Sequence, residues 1–313
     1  MVPSAITLSA IVLVAALAVD RLLGDPHFAF HPVALLGRII GVWGSPSLYP
    51  PALQRFAGIL FWFSTASVFT LPFLLISRFA PWFLYLLLAP LLLKSCFAWR
   101  SLEEHTFAVV TALQEGVEDG RNKVRMLVSR DTAQLGRDHI LSAGYESMTE
   151  NCTDSIVSPL LFFSVFGLAG AAVYRAANTM DAMLGYRDER IRLGWCAARM
   201  DDIFNFVPAR ITVLLLLLYF TFCGRLSPAL RILRRDGKRR PGFNGGIVMA
   251  AMAGGIGIQF EKPGVYTIGD RERTLDEAGP EIVRAVQVVT VMTAILALCA
   301  LFLLGPVINS TGI

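Results

Sequence analysis

Three carboxylates in one short stretch are the first residues of this sequence whose spacing suggests chemistry. In "ESMTENCTDS", Glu146, Glu150 and Asp154 recur at every fourth position. On a helix that spacing puts all three on one face. Like charges at i, i+4 repel and weaken a helix, so the stripe calls for a cation. Mg²⁺ fits, because it binds through one or two carboxylates and bridges to phosphate oxygens of a substrate.

Other polar groups cluster nearby. "DRLLGDPHFAFHPVALLGR" gathers Asp20, Arg21, Asp25, His27, His31 and Arg38, and "SRDTAQLGRDH" supplies Arg130. In "YRAANTMDAMLGYRDERIRLGWCAARMDD", Arg175, Asn178 and Asp181 fall at successive i+3 steps, as do Arg199 and Asp202. Asn205 and Arg210 carry the polar line past Pro208. Arginines suit carboxylate or phosphate groups of a ligand. "GFNGGIVMAAMAGGIG" sets Asn244 ahead of a run of small residues. It reads either as tight helix packing through Gly and Ala, or as backbone whose N–H groups approach a phosphate.

The elements that must position these groups are membrane-length helices. The chain has 313 residues, of which 55% are hydrophobic and 17% charged. Soluble proteins carry about a quarter charged residues. Apolar runs at Ile6–Leu23, Phe56–Ile76, Trp82–Trp99, Ile156–Val173, Val207–Cys223 and Val286–Leu304 are each near the ~20 residues that cross a bilayer. The expectation is an all-α, polytopic helical membrane protein with five or six spans and helical cytoplasmic loops, forming one domain over 1–313. No Lys or Arg precedes the first apolar run, so it reads as a retained span rather than a signal peptide. The five cysteines form no CxxC pair and read as small buried hydrophobes.

With six spans, loops 24–55, 100–155 and 224–285 share one side and hold most of the Lys and Arg. The positive-inside rule puts them in the cytoplasm, so the active site of this cell-membrane protein is expected to face inward. The basic run "RILRRDGKRR" reads as an anchor beside anionic lipid. It lacks interleaved aromatics, so nucleic acid is not an expected partner. Segment 174–206 fits badly: rich in Arg, Asp and Asn, it falls outside by this count. Either Ile156–Val173 is a re-entrant hairpin, for which Pro159, Gly167 and Gly170 allow, or the site lies at membrane depth. The chain has no GxxxxGK[ST], GxGxxG, HExxH or GxSxG motif, so serine-type hydrolysis and standard nucleotide folds lose support.

The stretches "DRLLGDP…HPVALLGR", "SRDTAQL", "TENCTDSIVSPL", "YRAANTMDAMLGYRDERIRLGWCAARMDDIFNFVPARIT" and "NGGIVMAAMAGG" resemble, in order, the CobD/CbiB family of cobalamin biosynthesis. Two departures, Ser129 and Val248 where the family often has Gly and Pro, touch only local backbone. The resemblance implies an adenosylcobinamide(-phosphate) synthase. Such an enzyme joins a propionate carboxylate of adenosylcobyric acid to (R)-1-amino-2-propanol or its O-phosphate, with ATP. On that reading Glu150, Asp154, Asp181 and Asp202 hold Mg²⁺-ATP, and Asn151, Asn178, Asn205 and Asn244 meet substrate. Arg130, Arg199 and Arg210 hold phosphate or carboxylate, and Glu146 or His31 takes a proton from the attacking ammonium. These roles rest on chemistry and position. Two other classes fit in part. A Mg²⁺-dependent prenyl-type transferase would also place Asp-rich helices at a bilayer interface. A transporter would line a pathway with intramembrane charge and predicts inverted repeats, which the sequence does not show.

Overall fold

The computed structural model describes residues 4–25 and 31–310, with side chains as far as 303. His27, named above, lies outside the described residues. The helices are α1 (Ala5–Leu23), α2 (Pro32–Trp43), α3 (Gln54–Phe79), α4 (Trp82–Lys94), α5 (Trp99–Glu115), α6 (Val117–Val124) and α7 (Arg137–Cys152). They continue with α8 (Ser158–Leu184), α9 (Trp195–Phe204), α10 (Phe206–Phe222), α11 (Leu226–Asp236), α12 (Gly245–Ile256) and α13 (Leu275–Ser310). One antiparallel hairpin, β1 (Gln259–Lys262) and β2 (Tyr266–Gly269), pairs Phe260 with Ile268. It turns on "KPGV", a Pro-Gly turn signal.

The architecture is the all-α membrane protein expected. Five helical segments are long and apolar enough to cross a bilayer: Ala5–Leu23, Gln54–Phe79, Trp82–Glu115, Arg137–Leu184 and Leu275–Leu303. Counting α9 and α10 as one broken span makes six. Their outward faces stay apolar, as lipid contact requires: Phe63, Leu74, Leu87 and Phe166 are all exposed.

The chain divides into two compact units. The first comprises residues 1–98, 158–204 and 293–313. Its core is α3 against α8 and α9, α1 against α4, and α2 against α8. Leu13, Trp62, Phe73, Leu93 and Phe163 are buried there. Within α8 the backbone breaks at Gly167, at φ 67° and ψ −162°, a region that only glycine adopts readily. A Cβ on Gly170 would stand 2.7 Å from the carbonyl oxygen of Phe162. In a straight helix residues twelve apart are about 18 Å apart. The Phe162 and Tyr174 rings, twelve positions apart, lie 5.0 Å centroid to centroid. So the chain turns back on itself: 158–166 and 168–184 are the arms of a helical hairpin. Length and composition alone count this segment within a single span. The fold instead shows the hairpin that Gly167 and Gly170 allowed.

The second unit comprises residues 99–157 and 205–292. Here α12 packs on α11, α10 and α7, and the β-hairpin packs on α7 and α12. Every residue of α12 from Val248 to Ile256 is buried. Small side chains are what permit it. A Cβ on Gly255 would meet the Phe220 ring at 2.2 Å, and one on Gly254 the Pro228 carbonyl oxygen at 2.6 Å. Between α7 and α8 runs a π turn, Thr153–Val157, where Thr153 Oγ1 donates to Thr212 Oγ1 on α10 (3.0 Å). The π turn takes Asp154 off the α-helical stripe that begins with Glu146 and Glu150, because the wider turn resets the phase.

Candidate functional site

In the second unit, four segments remote in sequence meet over one face of α7. Glu146 is buried. It accepts from Arg130 Nη2 at 3.2 Å, from the Tyr266 hydroxyl at 2.7 Å and from the Ser142 hydroxyl. Ser142 also accepts the Glu261 backbone N–H at 2.7 Å, which ties β1 to the same helix. One turn further along α7, Glu150 is paired with Arg240, from the loop before α12. The stripe's self-repulsion is thus answered by guanidinium groups the chain itself supplies. Arg240 is held above its usual value: burial works against its charge, but the Glu150 carboxylate, then Tyr266 and Asp154, outweigh it. Tyr266 is also pushed up, first by burial and then by the charge of Glu146. Both effects favour a charged arginine beside a neutral phenol.

The glycine-rich stretch adjoins this pair. Gly245 opens α12 so close to it that a Cβ would lie 2.6 Å from Arg240 Nη1 and 3.3 Å from Glu150 Oε1. Asn244 is the N-cap. Its Oδ1 accepts from Arg210 Nη1 at 2.7 Å, and Arg210 stacks on Phe206 with 3.7 Å to the ring centroid. Asn151 donates to the Ser147 carbonyl on its own helix at 2.9 Å. Asn205, the N-cap of α10, is buried. So the second unit holds Arg130, Glu146, Glu150, Asn151, Asp154, Asn205, Arg210 and Asn244; it pairs Glu150 with Arg240 beside Gly245, within electrostatic reach of Asp154, and binds Arg210 to the neighbouring Asn244.

The first unit holds the remaining candidates. On the return arm of α8, Arg175, Asn178 and Asp181 are half-buried while Tyr174 before them and Ala176, Ala177 and Met180 between them are buried, the shared face their spacing predicts. Asn178 Nδ2 donates to Asp201 Oδ1 on α9 at 3.2 Å. Asp202 and Arg199 stand 3.5 Å apart one turn along α9. Asp181 lies tight against Gly185, where a Cβ would meet Oδ1 at 1.9 Å. His31 is the N-cap of α2. Buried Lys94, at the end of α4, sits 3.0 Å from Asp20 and is also paired with Asp25. Among the described residues no three His, Cys, Asp or Glu side chains lie close enough together to hold a metal ion. Mg²⁺ as a rule keeps several waters and takes only one or two carboxylates from a protein, its other ligands coming from phosphate.

Two residues of the α7 cluster escape a reading of the sequence. Arg240 ends the basic run that reads as an anchor beside anionic lipid. In the fold that run is organised from within: Arg235 and Arg239 both bind buried Asp236, at 2.8 and 3.0 Å, and Arg231 reaches Asp270 and Glu272. Tyr266 stands in no motif, and only the Pro-Gly turn before it hints at a hairpin.

Fold and site together define a helical integral membrane protein that gathers ion-paired carboxylates, amides and arginines on helices flanking its apolar spans. Comparison with known proteins gives this class a family. The profile described as CobD/Cbib protein matches residues 13–296, and the chain belongs to the CobD/CbiB family, whose members serve cobalamin biosynthesis. It is 41% identical over 261 residues to the probable cobalamin biosynthesis protein CobD of Methanothermobacter thermautotrophicus, covering 83% of this chain and 86% of that one. It is 44% identical over 261 residues to the probable cobalamin biosynthesis protein CobD of Thermococcus kodakarensis, covering 82% and 84%. It is 36% identical over 267 residues to the cobalamin biosynthesis protein CobD of Dehalococcoides mccartyi, covering 83% and 86%. No solved structure matches the chain.

Proposed function

We propose that this protein is an amide-forming ligase of the cell membrane that joins adenosylcobyric acid to (R)-1-amino-2-propanol or its O-phosphate at the expense of ATP. Family membership sets the pathway. The observation that most supports the chemistry is the cluster on α7, where Arg240, Glu150 and the glycine-rich start of α12 stand together.

A free carboxylate does not acylate an amine at neutral pH, so the propionate must first become a better electrophile. Transfer of the ATP γ-phosphoryl group to a propionate oxygen gives an acyl phosphate and ADP. The amine then attacks the acyl carbon, the C–O bond to phosphate breaks, and the amide and inorganic phosphate leave. Glycines at the start of α12 let a phosphate approach backbone N–H groups, while Arg240 and Arg210 supply charge there. Glu150 and Asp154, or Asp181 and Asp202, would hold a Mg²⁺ ion, which would supply charge neutralisation to phosphate oxygens. Asn151, Asn178, Asn205 and Asn244 are suited to the amides that line a corrinoid. The attacking nitrogen must lose a proton, and Glu146 is the carboxylate proposed to take it, with His31 the other candidate. Glu146 already accepts three hydrogen bonds, so it acts only after exchanging one of them.

The test is direct. Purified protein is given adenosylcobyric acid, Mg²⁺, ATP and aminopropanol or its phosphate, and products are separated by chromatography. Formation of the cobinamide amide with equimolar ADP is expected. Absence of product with both amines ends this reading.

A further inference from the structure

Cationic side chains in the polar segments are mostly spoken for. Arg130 is bound to Glu146, Arg240 to Glu150, and Arg210 to Asn244. Arg199 faces Asp202, Arg190 holds Asp188, and Lys94 lies between Asp20 and Asp25. Arg175 is placed differently. Among the described residues no hydrogen bond or ion pair engages its side chain, and its Nε is sealed from solvent with no partner.

Its setting makes that costly. Arg175 stands on the return arm of the α8 hairpin, between Tyr174 and Ala176, both 0% exposed, and within electrostatic reach of buried Cys96. Charge at a membrane-embedded helix is expensive without a partner. A part-exposed arginine can snorkel and give its terminal nitrogens to water. That does not satisfy Nε, which lies inward. The Nε–Nη edge is the fork that grips two oxygens of one oxyanion. Here the inner prong of that fork is in place and vacant, on the half-buried face it shares with Asn178 and Asp181.

We propose that Arg175 binds the phosphate group of a phosphorylated reactant, either the nucleotide or aminopropanol phosphate. The proposal rests on the reaction described above and adds a binding residue to it in the first unit. Detergent-purified full-length wild type, Arg175→Gln and Arg175→Lys are compared. Isothermal titration with ATP and with aminopropanol phosphate is read alongside steady-state KM for ATP, aminopropanol phosphate and unphosphorylated aminopropanol. A lost charge-assisted bidentate contact weakens binding by about tenfold or more. That loss is expected for one phosphorylated reactant in Arg175→Gln, with a smaller one in Arg175→Lys, which keeps the charge but not the fork. A loss confined to ATP identifies the nucleotide. A loss confined to aminopropanol phosphate, with the KM of aminopropanol unchanged, identifies the amine substrate. If Arg175→Gln is not recovered folded, Arg175→Lys decides. Unchanged affinities and KM values in the folded variants overturn the proposal. A wild type that binds ATP but forms no cobinamide overturns the reaction instead, and the titrations still decide the role of Arg175.

Discussion

Arg240 and Glu150 lie ninety positions apart in sequence and form an ion pair over α7. Neither is fully buried: their side chains keep 24% and 33% exposure. Partly exposed pairs are worth less than buried ones because water and salt screen them. Removing Arg240 leaves Glu150 without its counter-charge and one helical turn from the carboxylate of Glu146, whereas removing Glu150 leaves Arg240 still within electrostatic reach of Asp154. Arg240→Ala is expected to lower stability by about 1–2 kcal/mol, and Glu150→Gln by less. In a double-mutant cycle followed by thermal unfolding in detergent, the two should couple. Purely additive effects would show that the pair does not hold the site.

The hairpin at Gly167 invites a second substitution. Its φ of 67° with ψ of −162° suits glycine, and a side chain there costs on the order of 1–3 kcal/mol. Nothing lies within 4 Å of the Cβ position, so Gly167→Ala tests backbone conformation without a clash. A clear drop in the unfolding midpoint is expected. An unchanged midpoint would mean the arms do not reverse at this residue.

Asp181→Asn and Asp202→Asn each keep the side chain's size and remove a charge proposed for Mg²⁺. Both are expected to express normally and to lose turnover by about a hundredfold or more, with the loss partly offset at raised Mg²⁺. Chelating Mg²⁺ should stop the wild type. Near-normal turnover in either variant removes that residue from metal binding.

Asp236 links stability to pH. Burial alone would raise its pKa, but Arg235, the Gly269 N–H and Arg239 reverse the sign and hold it below the usual carboxylate value. A lowered folded-state pKa adds stability that is full above the unfolded value of about 3.9 and fades as pH falls through the folded value. Wild type should therefore lose stability in acid more steeply than Asp236→Asn. The two unfolding midpoints should be well separated at neutral pH and draw together as pH drops below about 4. A constant gap across that range would exclude Asp236 as the titrating group.

The sequence by itself determined the class and the family. Hydropathy is a sum over neighbouring residues, so runs such as Ile6–Leu23 and "ITVLLLLLYFTFC" announce membrane helices whatever the rest of the chain does. Helical spacing is equally local, and it placed Arg175, Asn178 and Asp181 on one half-buried face. Only the tertiary structure decided which charges meet. Glu146 and Arg130 each stood out as separate candidates, yet the fold binds them to each other and to Tyr266, a residue in no motif. Arg240 looked like one more cation in a surface run until the fold carried it to Glu150. The α8 segment reads equally well as a span or as a hairpin, because glycine permits both and hydropathy is blind to direction. Ion pairs and chain reversals depend on which distant segments pack together, and that is a property of the whole fold.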